Sequence, residues 1–344
     1  MQDLPFVTVI MPVRNEADFI GQAVKSILDS DYPAEMMEVL VVDGDSDDDT
    51  RQIVEKLAGS DARIRILDNP RRIVPTAMNI ALKEMRGDVF IRIDGHAKIP
   101  ADFISKSVRC LDEHPDAWVA GGYIETVATD YIGRTIAAAM CSPIGVGNAR
   151  FRLGDYEGWV DTLAFGAHHK WVVEKIGYFD EELVRNQDDE FNLRIILAGG
   201  KIWMSKSIRS TYFSRSSLGK LWKQYFQYGF WRIRTFQKHK RPAAPRQLVP
   251  LLFVLSILFL GFTGLFSKPL WYLLETGMIF YVMTLLVGAF IVGRKSGWQF
   301  VLVAPLVFVI LHFAYGLGSL WGVVRFSVLR GWGMKRPEEI RVSR

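Results

Sequence analysis

Cysteine is scarce in this chain of 344 residues, which contains only Cys110 and Cys141. Two cysteines give neither a disulfide framework nor the ligand spacing of a zinc site, so the disulfide-rich secreted class is excluded. They fit a reducing compartment, where we expect both to be ordinary core residues. The N-terminal stretch also lacks the basic segment and the small-residue cleavage site of a signal peptide, and we expect it to lead into a buried strand.

Acidic residues are missing between Glu190 and Glu275, which reflects an uneven distribution of charge. Residues 1–190 carry 34 acidic and 20 basic side chains, whereas residues 191–344 carry 3 acidic and 22 basic ones. A basic half of this kind is typical of nucleic-acid-binding proteins and of proteins that rest on anionic lipid. The apolar segments that follow the basic stretch favour membrane lipids, and we expect no nucleic-acid partner.

Long apolar segments occur only after residue 247. They cover Leu248–Phe266, Leu270–Val292 and Phe300–Val324. Each can cross the hydrocarbon core of a bilayer, about 30 Å thick, which takes about 20 residues. A buried helical domain in a soluble protein is the alternative. Residues 216–240 mix aromatic and basic side chains at helical spacing, which is typical of a helix in the membrane interface.

These patterns predict four parts of the chain. They are a catalytic domain at 1–215, a basic-aromatic interfacial helix and linker at 216–246, a transmembrane region of about three spans at 247–330, and a basic tail at 331–344. The positive charge of Arg232–Arg246 indicates the cytoplasmic side, yet three full spans would carry the basic tail to the opposite side, against the positive-inside tendency. Either residues 316–331 lie along the interface or one segment is re-entrant, and the sequence leaves this open.

The first hundred residues alternate strand and helix patterns, which predicts an α/β fold with a mostly parallel sheet. The predicted strands are Phe6–Met11, Glu38–Val42, Arg63–Leu67 and Asp88–Ile93, and the predicted helices are Asp18–Asp29, Arg51–Leu57 and Pro75–Arg86. Further helices are predicted at Phe103–Glu113 and Asn186–Ala198. Ligands of such sheets bind beyond the carboxyl ends of the strands. Three polar clusters lie there, at Pro12–Glu16, Asp43–Asp49 and Asp94–His96.

Asp94 and His96 are two residues apart at the end of a predicted strand, so both side chains can face one ligand. A diphosphate leaving group needs a divalent cation, and Mg²⁺ is typically held by one or two protein carboxylates together with phosphates. The imidazole makes Mn²⁺ an equal candidate. An ordinary turn is the alternative, but the two neighbouring polar clusters favour a cation site.

The loop Asp43–Thr50 contains five carboxylates. A solvated loop that caps a helix explains Asp47 and Asp48. Asp43 is the first polar residue after the strand, so it is better placed to hydrogen-bond a nucleobase. A calcium loop is disfavoured because no Glu occupies its twelfth position.

The segment Asn186–Glu190 opens a predicted helix with three consecutive acidic residues. The helix dipole stabilises acidic residues there, so capping is one interpretation. The other is a general base that takes a proton from an acceptor hydroxyl. Asp188 and Asp189 point about 100° apart on a helix, so only one can face the acceptor. Phe191 and Ile195 turn the face of Asp188 inward.

Four motifs occur in the order seen in family 2 glycosyltransferases, which this chain resembles over about residues 1–240. They are Pro12-Val13-Arg14-Asn15-Glu16, the Asp43–Thr50 loop, Asp94-x-His96 and the pair Gln187-Asp188. The resemblance implies a GT-A fold and an inverting enzyme that uses a nucleotide sugar. The phrases SPIGVGNARFR and RNQDDEFN and the apolar segments are most similar to bacterial exopolysaccharide enzymes of the succinoglycan glucosyltransferase kind.

The same resemblance implies roles for individual residues. Those that would bind the nucleotide sugar are Pro12, Val13, Arg14, Glu16, Asp43 and Asp94, with Asp43 and Glu16 at the nucleoside. Those that would hold the cation are Asp94 and His96. Asp188 would be the catalytic base, and a Q-x-x-x-W element would lie near the acceptor or the diphosphate, namely Gln227 and Trp231 with the adjacent Arg232. Two departures matter, because D-G-H replaces the usual D-x-D and Gln187-Asp188 replaces Glu-Asp. The first leaves the metal open, and the second leaves Asp189 as another base.

We therefore expect a multi-pass enzyme of the bacterial inner membrane whose catalytic domain is cytoplasmic. The resemblance implies glucose from UDP-glucose as the donor sugar and a polyprenyl-diphosphate-linked saccharide as the acceptor. The spans are too few for a polymer channel unless an oligomer supplies more, which favours non-processive transfer. The alternatives are a polyprenyl-phosphate glycosyltransferase and a non-catalytic membrane scaffold that kept the fold, the latter favoured only by Gln187.

Overall fold

The computed structural model describes residues 4–154, 156–213 and 217–329. These residues fall into two compact units. The first, which we call the sheet unit, comprises the described residues of 4–125 and 154–213. The second, which we call the helical unit, comprises 126–153 and 217–329. The predicted basic tail at 331–344 lies outside the described residues.

The secondary structure contains both strands and helices up to Phe213, and the described residues after it are helical. The elements in chain order are β1 (Val7–Val13), α1 (Ile20–Leu28), β2 (Met37–Asp43), α2 (Thr50–Ala58), β3 (Ile64–Asp68), α3 (Val74–Glu84), β4 (Val89–Arg92), β5 (Ala97–Lys98), α4 (Phe103–Glu113), β6 (Ala117–Val127), α5 (Tyr131–Met140), α6 (Pro143–Val146), α7 (Arg150–Leu153), β7 (Gly158–Val160), β8 (Ala167–His169), α8 (Lys170–Ile176), α9 (Gln187–Leu197), β9 (Lys201–Phe213), α10 (Leu218–His239), α11 (Val249–Gly264), α12 (Lys268–Ser296) and α13 (Ala304–Val323). Short 3₁₀ turns cover Ala34–Met36, Pro245–Leu248 and Trp298–Phe300, and a π-helical turn covers Val324–Val328.

The sheet has nine strands in the order β3-β2-β1-β4-β8-β6-β9-β5, with β7 paired to β9. Strands β1 to β4 are parallel, as the βαβ alternation predicts. The expectation of a mostly parallel sheet is wrong for the other half. There β8 pairs antiparallel with β4 and β6, and β5 and β7 pair antiparallel with β9. Strands β5, β7 and β8 have only two or three residues, too few to show a strand pattern in the sequence.

The centre of the sheet unit is apolar because its parallel strands are covered on both faces. Every residue of β1 and β2 is buried. In the register of the sheet, Val9 of β1 lies between Val39 of β2 and Ile91 of β4. Continuous apolar strands of this kind are usual in parallel sheets. The carboxyl ends of β1, β2 and β4 therefore lie side by side at one edge.

The helical unit includes an insertion from the middle of the chain. Ile136, Ala139 and Met140 of α5 share a buried cluster with Ala289 of α12 and Phe308 of α13. The sequence predicts one catalytic domain over 1–215, whereas the structure groups 126–153 with the C-terminal helices. The reason is the apolar face of α5, which packs in this helical cluster.

Three helices of the described chain are long and apolar enough to cross a membrane, in agreement with the three predicted segments. They cover Pro245–Gly264, Lys268–Ser296 and Ala304–Val328. Their protein burial differs, because 11% of the first apolar window is buried, 28% of the second and 50% of the third.

The basic-aromatic helix α10 is part of the helical unit and not a separate part of the chain. Its Leu221 side chain is fully buried, and Trp231 is 4% exposed. Glycines allow the close packing of α10 on α13, since a Cβ at Gly229 would lie 2.0 Å from the carbonyl oxygen of Tyr315. A Cβ at Gly318 would lie 2.0 Å from the carbonyl oxygen of Phe226. One face of α10 is thus covered by protein.

Candidate active site

The loops that follow β1 and β2 are tied together by backbone and side-chain hydrogen bonds. The Gly44 amide donates to the Val13 carbonyl at 2.8 Å. The Asn15 amide donates to Ser46 Oγ at 3.0 Å, and the Glu16 amide donates to Thr50 Oγ1 at 2.7 Å. Asn15 has a left-handed backbone (φ 54°), which asparagine tolerates better than most residues. These contacts hold the Pro12–Glu16 segment against the acidic loop.

Asp43 organises the acidic loop from its buried position at the end of β2. Its side chain is only 3% exposed. Asp43 Oδ1 accepts a hydrogen bond from Ser46 Oγ at 2.6 Å, and Arg51 Nη1 lies 3.6 Å from Asp43 Oδ2. Asp48 Oδ1 accepts a hydrogen bond from the amide of Thr50, the first residue of α2, at 3.0 Å, and its Oδ2 accepts one from the Ala17 amide at 3.1 Å. The nucleobase contact expected of Asp43 stays a prediction.

Glu16 and His96 lie in contact at the same edge of the sheet. Glu16 Oε1 is 2.9 Å from His96 Nδ1. The chain between Asp94 and His96 must pass close to the first loop, since a Cβ at Gly95 would lie 3.0 Å from both Glu16 Cγ and Val13 Cγ1. A carboxylate on Nδ1 favours the tautomer whose Nε2 lone pair can bind a metal. Glu16 thus orients His96, a contact that the sequence did not predict.

Arg92 joins Asp94, the predicted cation ligand, to Asp188, the predicted base. Its Nε donates to Asp94 Oδ1 at 2.8 Å, and its Nη2 lies 2.7 Å from the same oxygen. Its Nη1 donates to Asp188 Oδ1. The structure therefore brings Asp94 and Asp188 to opposite sides of one guanidinium.

Sequence reasoning missed Arg92, although a signal was present. Val89, Phe90 and Ile91 of β4 are fully buried or nearly so, and Arg92 interrupts this apolar run with a side chain that is 13% exposed. A residue two positions before Asp94 on an extended chain points to the same side as Asp94. A buried arginine on the same side of the strand as Asp94 indicates that an acidic side chain or a ligand lies beside it at the site.

Asp188 and Asp189 turn to different partners at the start of α9. Asp188 meets Arg92, whereas Asp189 Oδ1 accepts a hydrogen bond from Thr162 Oγ1 at 2.9 Å. Asn186, immediately before α9, has a left-handed backbone (φ 62°). The two carboxylates thus diverge as helix geometry predicts, and Asp188 is the one beside Asp94.

Two opposing effects act on the pKa of Asp188 in this cluster. Its side chain keeps 37% of its surface accessible. The protein packed around the carboxyl group nevertheless raises the pKa of Asp188, and Arg92 partly opposes this rise. For Arg92, burial works against the charged form, but Asp188 and Asp94 together raise its pKa.

The cation chemistry of the site rests on few protein ligands. Within the described ranges, no group of three or more His, Cys, Asp or Glu side chains is arranged to hold a metal ion. Asp94 offers a hard carboxylate oxygen, and His96, held by Glu16, offers a borderline imidazole nitrogen. Mg²⁺ and Mn²⁺ accept such a set when substrate phosphates complete the coordination. The residues present therefore fit a cation that arrives with a diphosphate.

The predicted Q-x-x-x-W element lies on α10 of the helical unit. Trp231 packs on Phe230 and Phe326, with ring centroids 5.3 and 6.1 Å away. Arg232 is 8% exposed, and its Nε donates to Tyr315 Oη at 3.3 Å. The acceptor or diphosphate roles of Gln227, Trp231 and Arg232 stay predictions.

Comparisons with known proteins identify the chain. The profile of the family described as Glycosyl transferase family 2 matches residues 8–160. The succinoglycan biosynthesis protein ExoA of Rhizobium meliloti is 32% identical over 250 residues, which are 71% of this chain and 74% of that protein. The chain belongs to glycosyltransferase family 2. As a member of that family it is a transferase, which favours the enzyme over the non-catalytic scaffold.

Two further proteins are similar to this glycosyltransferase over nearly its whole length. A Methanococcus voltae protein is 26% identical over 327 residues, which are 93% of this chain and 98% of that protein. Its name is dolichyl N-acetyl-alpha-D-glucosaminyl phosphate 3-beta-D-2,3-diacetamido-2,3-dideoxy-beta-D-glucuronosyltransferase. The solved mannosyltransferase PcManGT from Pyrobaculum calidifontis, in complex with GDP-Man and Mn2+, has a TM-score of 0.59 and 19% identity. It covers 93% of this chain and 88% of its own, and it confirms the GT-A fold.

Proposed function

We propose that this glycosyltransferase moves a sugar, with inversion at C1, from a nucleotide sugar to a lipid-linked saccharide. The main support for this proposal is that Arg92 forms hydrogen bonds with both Asp94 and Asp188. This bridge brings the expected diphosphate end of the donor and the expected base to one place. Direct displacement needs a base and a leaving-group site around the same anomeric carbon.

The proposed reaction is a single displacement at C1 of the donor sugar. Asp188 takes the proton of an acceptor hydroxyl, and the oxygen attacks C1 of the donor sugar. The bond from C1 to the phosphate oxygen breaks, and the nucleoside diphosphate leaves with the electron pair. A single displacement inverts C1, so an α-linked donor gives a β-linked product.

A divalent cation held by Asp94 and His96 would neutralise the charge that develops on the leaving diphosphate. Glu16 keeps the His96 ring in the orientation for this task through its contact with Nδ1. The complex of PcManGT with Mn2+ supports a cation of this class. Arg92 restrains Asp188 and Asp94 in place and keeps both carboxylates from repelling each other.

A lipid-linked acceptor fits the helical unit and its relatives. The name of the Methanococcus voltae protein contains a dolichyl phosphate-linked sugar. An apolar groove of about 440 Å³ lies in the helical unit of this chain. Phe253 and Leu260 of α11, Leu274 and Met278 of α12, and His312 of α13 are among its lining residues. We assign this groove to the hydrocarbon chain of the acceptor, because most of its lining residues are apolar.

We further propose glucose from UDP-glucose as the donor sugar and a polyprenyl-diphosphate-linked saccharide as the acceptor. The similarity to a succinoglycan biosynthesis protein supports this choice. The name of the Methanococcus voltae protein supports a lipid monophosphate carrier as the second candidate. The catalytic domain lies in the cytoplasm, where nucleotide sugars are made, and the helices anchor it in the inner membrane.

The test is a panel of nucleotide sugars offered to the full-length protein in detergent with a lipid extract of the host membrane. Mass spectrometry of the lipid fraction should show one hexose added with one donor, and NMR should show a β-linkage. Boiled enzyme and extract without donor are the controls. A lipid fraction whose masses stay unchanged with every donor would contradict transfer to lipid. An α-linkage formed from an α-linked donor would contradict inversion.

A further inference from the structure

Helix α13 is long enough to cross a membrane, but it lies alongside the charged helix α10. A Cβ at Gly318 would lie 2.0 Å from the Phe226 carbonyl oxygen, and one at Gly322 would lie 2.8 Å from the Phe230 carbonyl oxygen. Further along, Gln237 Nε2 of α10 donates to Ser327 Oγ at 2.8 Å. The residue numbers rise together along both helices. The two helices therefore run side by side in the same direction.

The charges of α10 fix the depth at which this pair can lie. The helix has 22 residues and no acidic side chain. Its lysines and arginines lie toward both ends, at Lys220 and Lys223 in the first two turns and at Arg232, Arg234 and Lys238 in the last turns. Cations in the middle of the hydrocarbon core are costly, and aromatic residues interleaved with lysine and arginine are typical of the interface. The part of α13 that packs along α10 must therefore lie at the same depth in the membrane as α10.

The contacts of α13 with the hairpin of α11 and α12 indicate the same placement. His312 Nδ1 is 3.1 Å from Tyr281 Oη of α12. Four residues later, a Cβ at Gly316 would lie 2.4 Å from the carbonyl oxygen of Pro250 at the start of α11. Up to this turn the chain follows α12 in the opposite direction, because Val301 and Phe308 lie against the Cβ positions of Gly293 and Gly288. From His312 to Gly316 it passes from the middle of α12 to the start of α11. Gly316 therefore lies at the end of the hairpin where the chain enters from α10.

The outer half of the hairpin presents the surface that lipid would cover. Phe259 and Phe262 of α11 are 64% and 67% exposed, and Tyr272 of α12 is 61% exposed. By contrast, half of the apolar window of α13 is buried in protein. Apolar side chains exposed at this level suit contact with acyl chains.

We propose that, within the described chain, α11 and α12 alone cross the membrane, and that α10 with Gly316–Val328 forms a paired surface on anionic lipid headgroups. The chain then leaves α13 on the same face of the membrane as α10. Two crossings keep Arg325, the cation near the end of this segment, on the same face as the cations of α10, which agrees with the positive-inside tendency.

The test is the accessibility of single cysteines in the full-length protein, in a background with Cys110→Ser and Cys141→Ser. Three exposed positions are chosen, with Lys238→Cys on α10, Lys268→Cys at the turn of the hairpin and Ser327→Cys at the end of α13. Each is labelled with a membrane-impermeant maleimide in intact spheroplasts and in inverted membrane vesicles. Labelling after detergent solubilisation gives the total for each variant.

The proposal expects Ser327→Cys to be labelled in the same preparation as Lys238→Cys, and Lys268→Cys in the opposite one. Labelling of Ser327→Cys together with Lys268→Cys would show a third crossing and overturn the proposal. Protection of Ser327→Cys in both preparations, with full labelling in detergent, would place it in the hydrocarbon core and overturn the proposal as well. Neither result depends on which sugar the enzyme transfers.

Discussion

The guanidinium of Arg92 is paired with the carboxylate of Asp188, although 96 residues separate them in the chain. The same guanidinium holds Asp94, so one cation lies between two acids. Truncating Arg92 would leave the two carboxylates close together without the cation between them, and truncating either acid would leave the guanidinium with one partner. The pair is therefore a sensitive point at which to test the role of each residue.

The first prediction concerns the pH dependence of transfer. Burial raises the pKa of Asp188, and Asp188 acts as a base only when it is ionised. The rate should therefore fall as the pH drops through a value above about 3.9, the ordinary pKa of Asp. Arg92→Met removes the positive charge that opposes the rise, so the acid limb should move to higher pH. Arg92→Lys should restore part of the difference.

The pH prediction is measured as transfer rate at saturating donor from about pH 4.5 to 8, around the ordinary His and Asp range. Thermal unfolding and donor binding of each variant control for loss of structure. An acid limb of Arg92→Met that coincides with the wild-type limb, in a folded protein, would show that Arg92 does not act on Asp188.

The second prediction concerns the cation. If Asp94 and His96 hold it, EDTA should abolish transfer, and added Mg²⁺ or Mn²⁺ should restore it. Asp94→Ala should lose at least about a hundredfold in rate, in the range of a lost electrostatic contact to the reacting group. Asp116→Ala is the control, because Asp116 is an exposed acid paired with Lys201. Full activity of Asp94→Ala would remove the proposed cation site.

The third prediction concerns the packing of α10 on α13. Gly318→Ala places a methyl group 2.0 Å from the Phe226 carbonyl oxygen, so the helices must move apart. We expect a destabilisation of about 1–3 kcal/mol, typical of overpacking, seen as a lower thermal midpoint in detergent. Gly277→Ala is the matched control, since nothing lies within 4 Å of its Cβ position, and helix propensity favours Ala. Equal midpoints for the two variants would contradict the tight contact.

Much of the sheet unit was predictable because local pattern and tertiary structure agree there. Helix α4 has the predicted bounds Phe103–Glu113, and β1, β2 and β4 lie within two residues of their predicted ends. The strand ends then gather Glu16, Asp43 and Asp94 at one edge, as the parallel alternation requires.

Features that depend on distant contacts could not be predicted in the same way. The link from Arg92 to Asp188 and the contact of Glu16 with His96 join separate loops. The short antiparallel strands leave no periodic signal. Helix α13 has the composition of a membrane span, and its contacts with α10 show a neighbour that composition does not predict. Composition reports how apolar a segment is, but not what covers it.

The choice between Asp188 and Asp189 tests the account most directly. The two adjacent acids differ in their partners, Arg92 for Asp188 and Thr162 for Asp189. The measurement is the rate of sugar transfer to lipid by Asp188→Asn and Asp189→Asn, with donor binding followed in parallel. Because removal of a positioned base costs about 10²–10⁴-fold in rate, we predict a loss of at least about a hundredfold for Asp188→Asn with donor binding kept. Asp189→Asn should lose much less, and the reverse ranking or equal mild losses would contradict the assignment of Asp188 as the base.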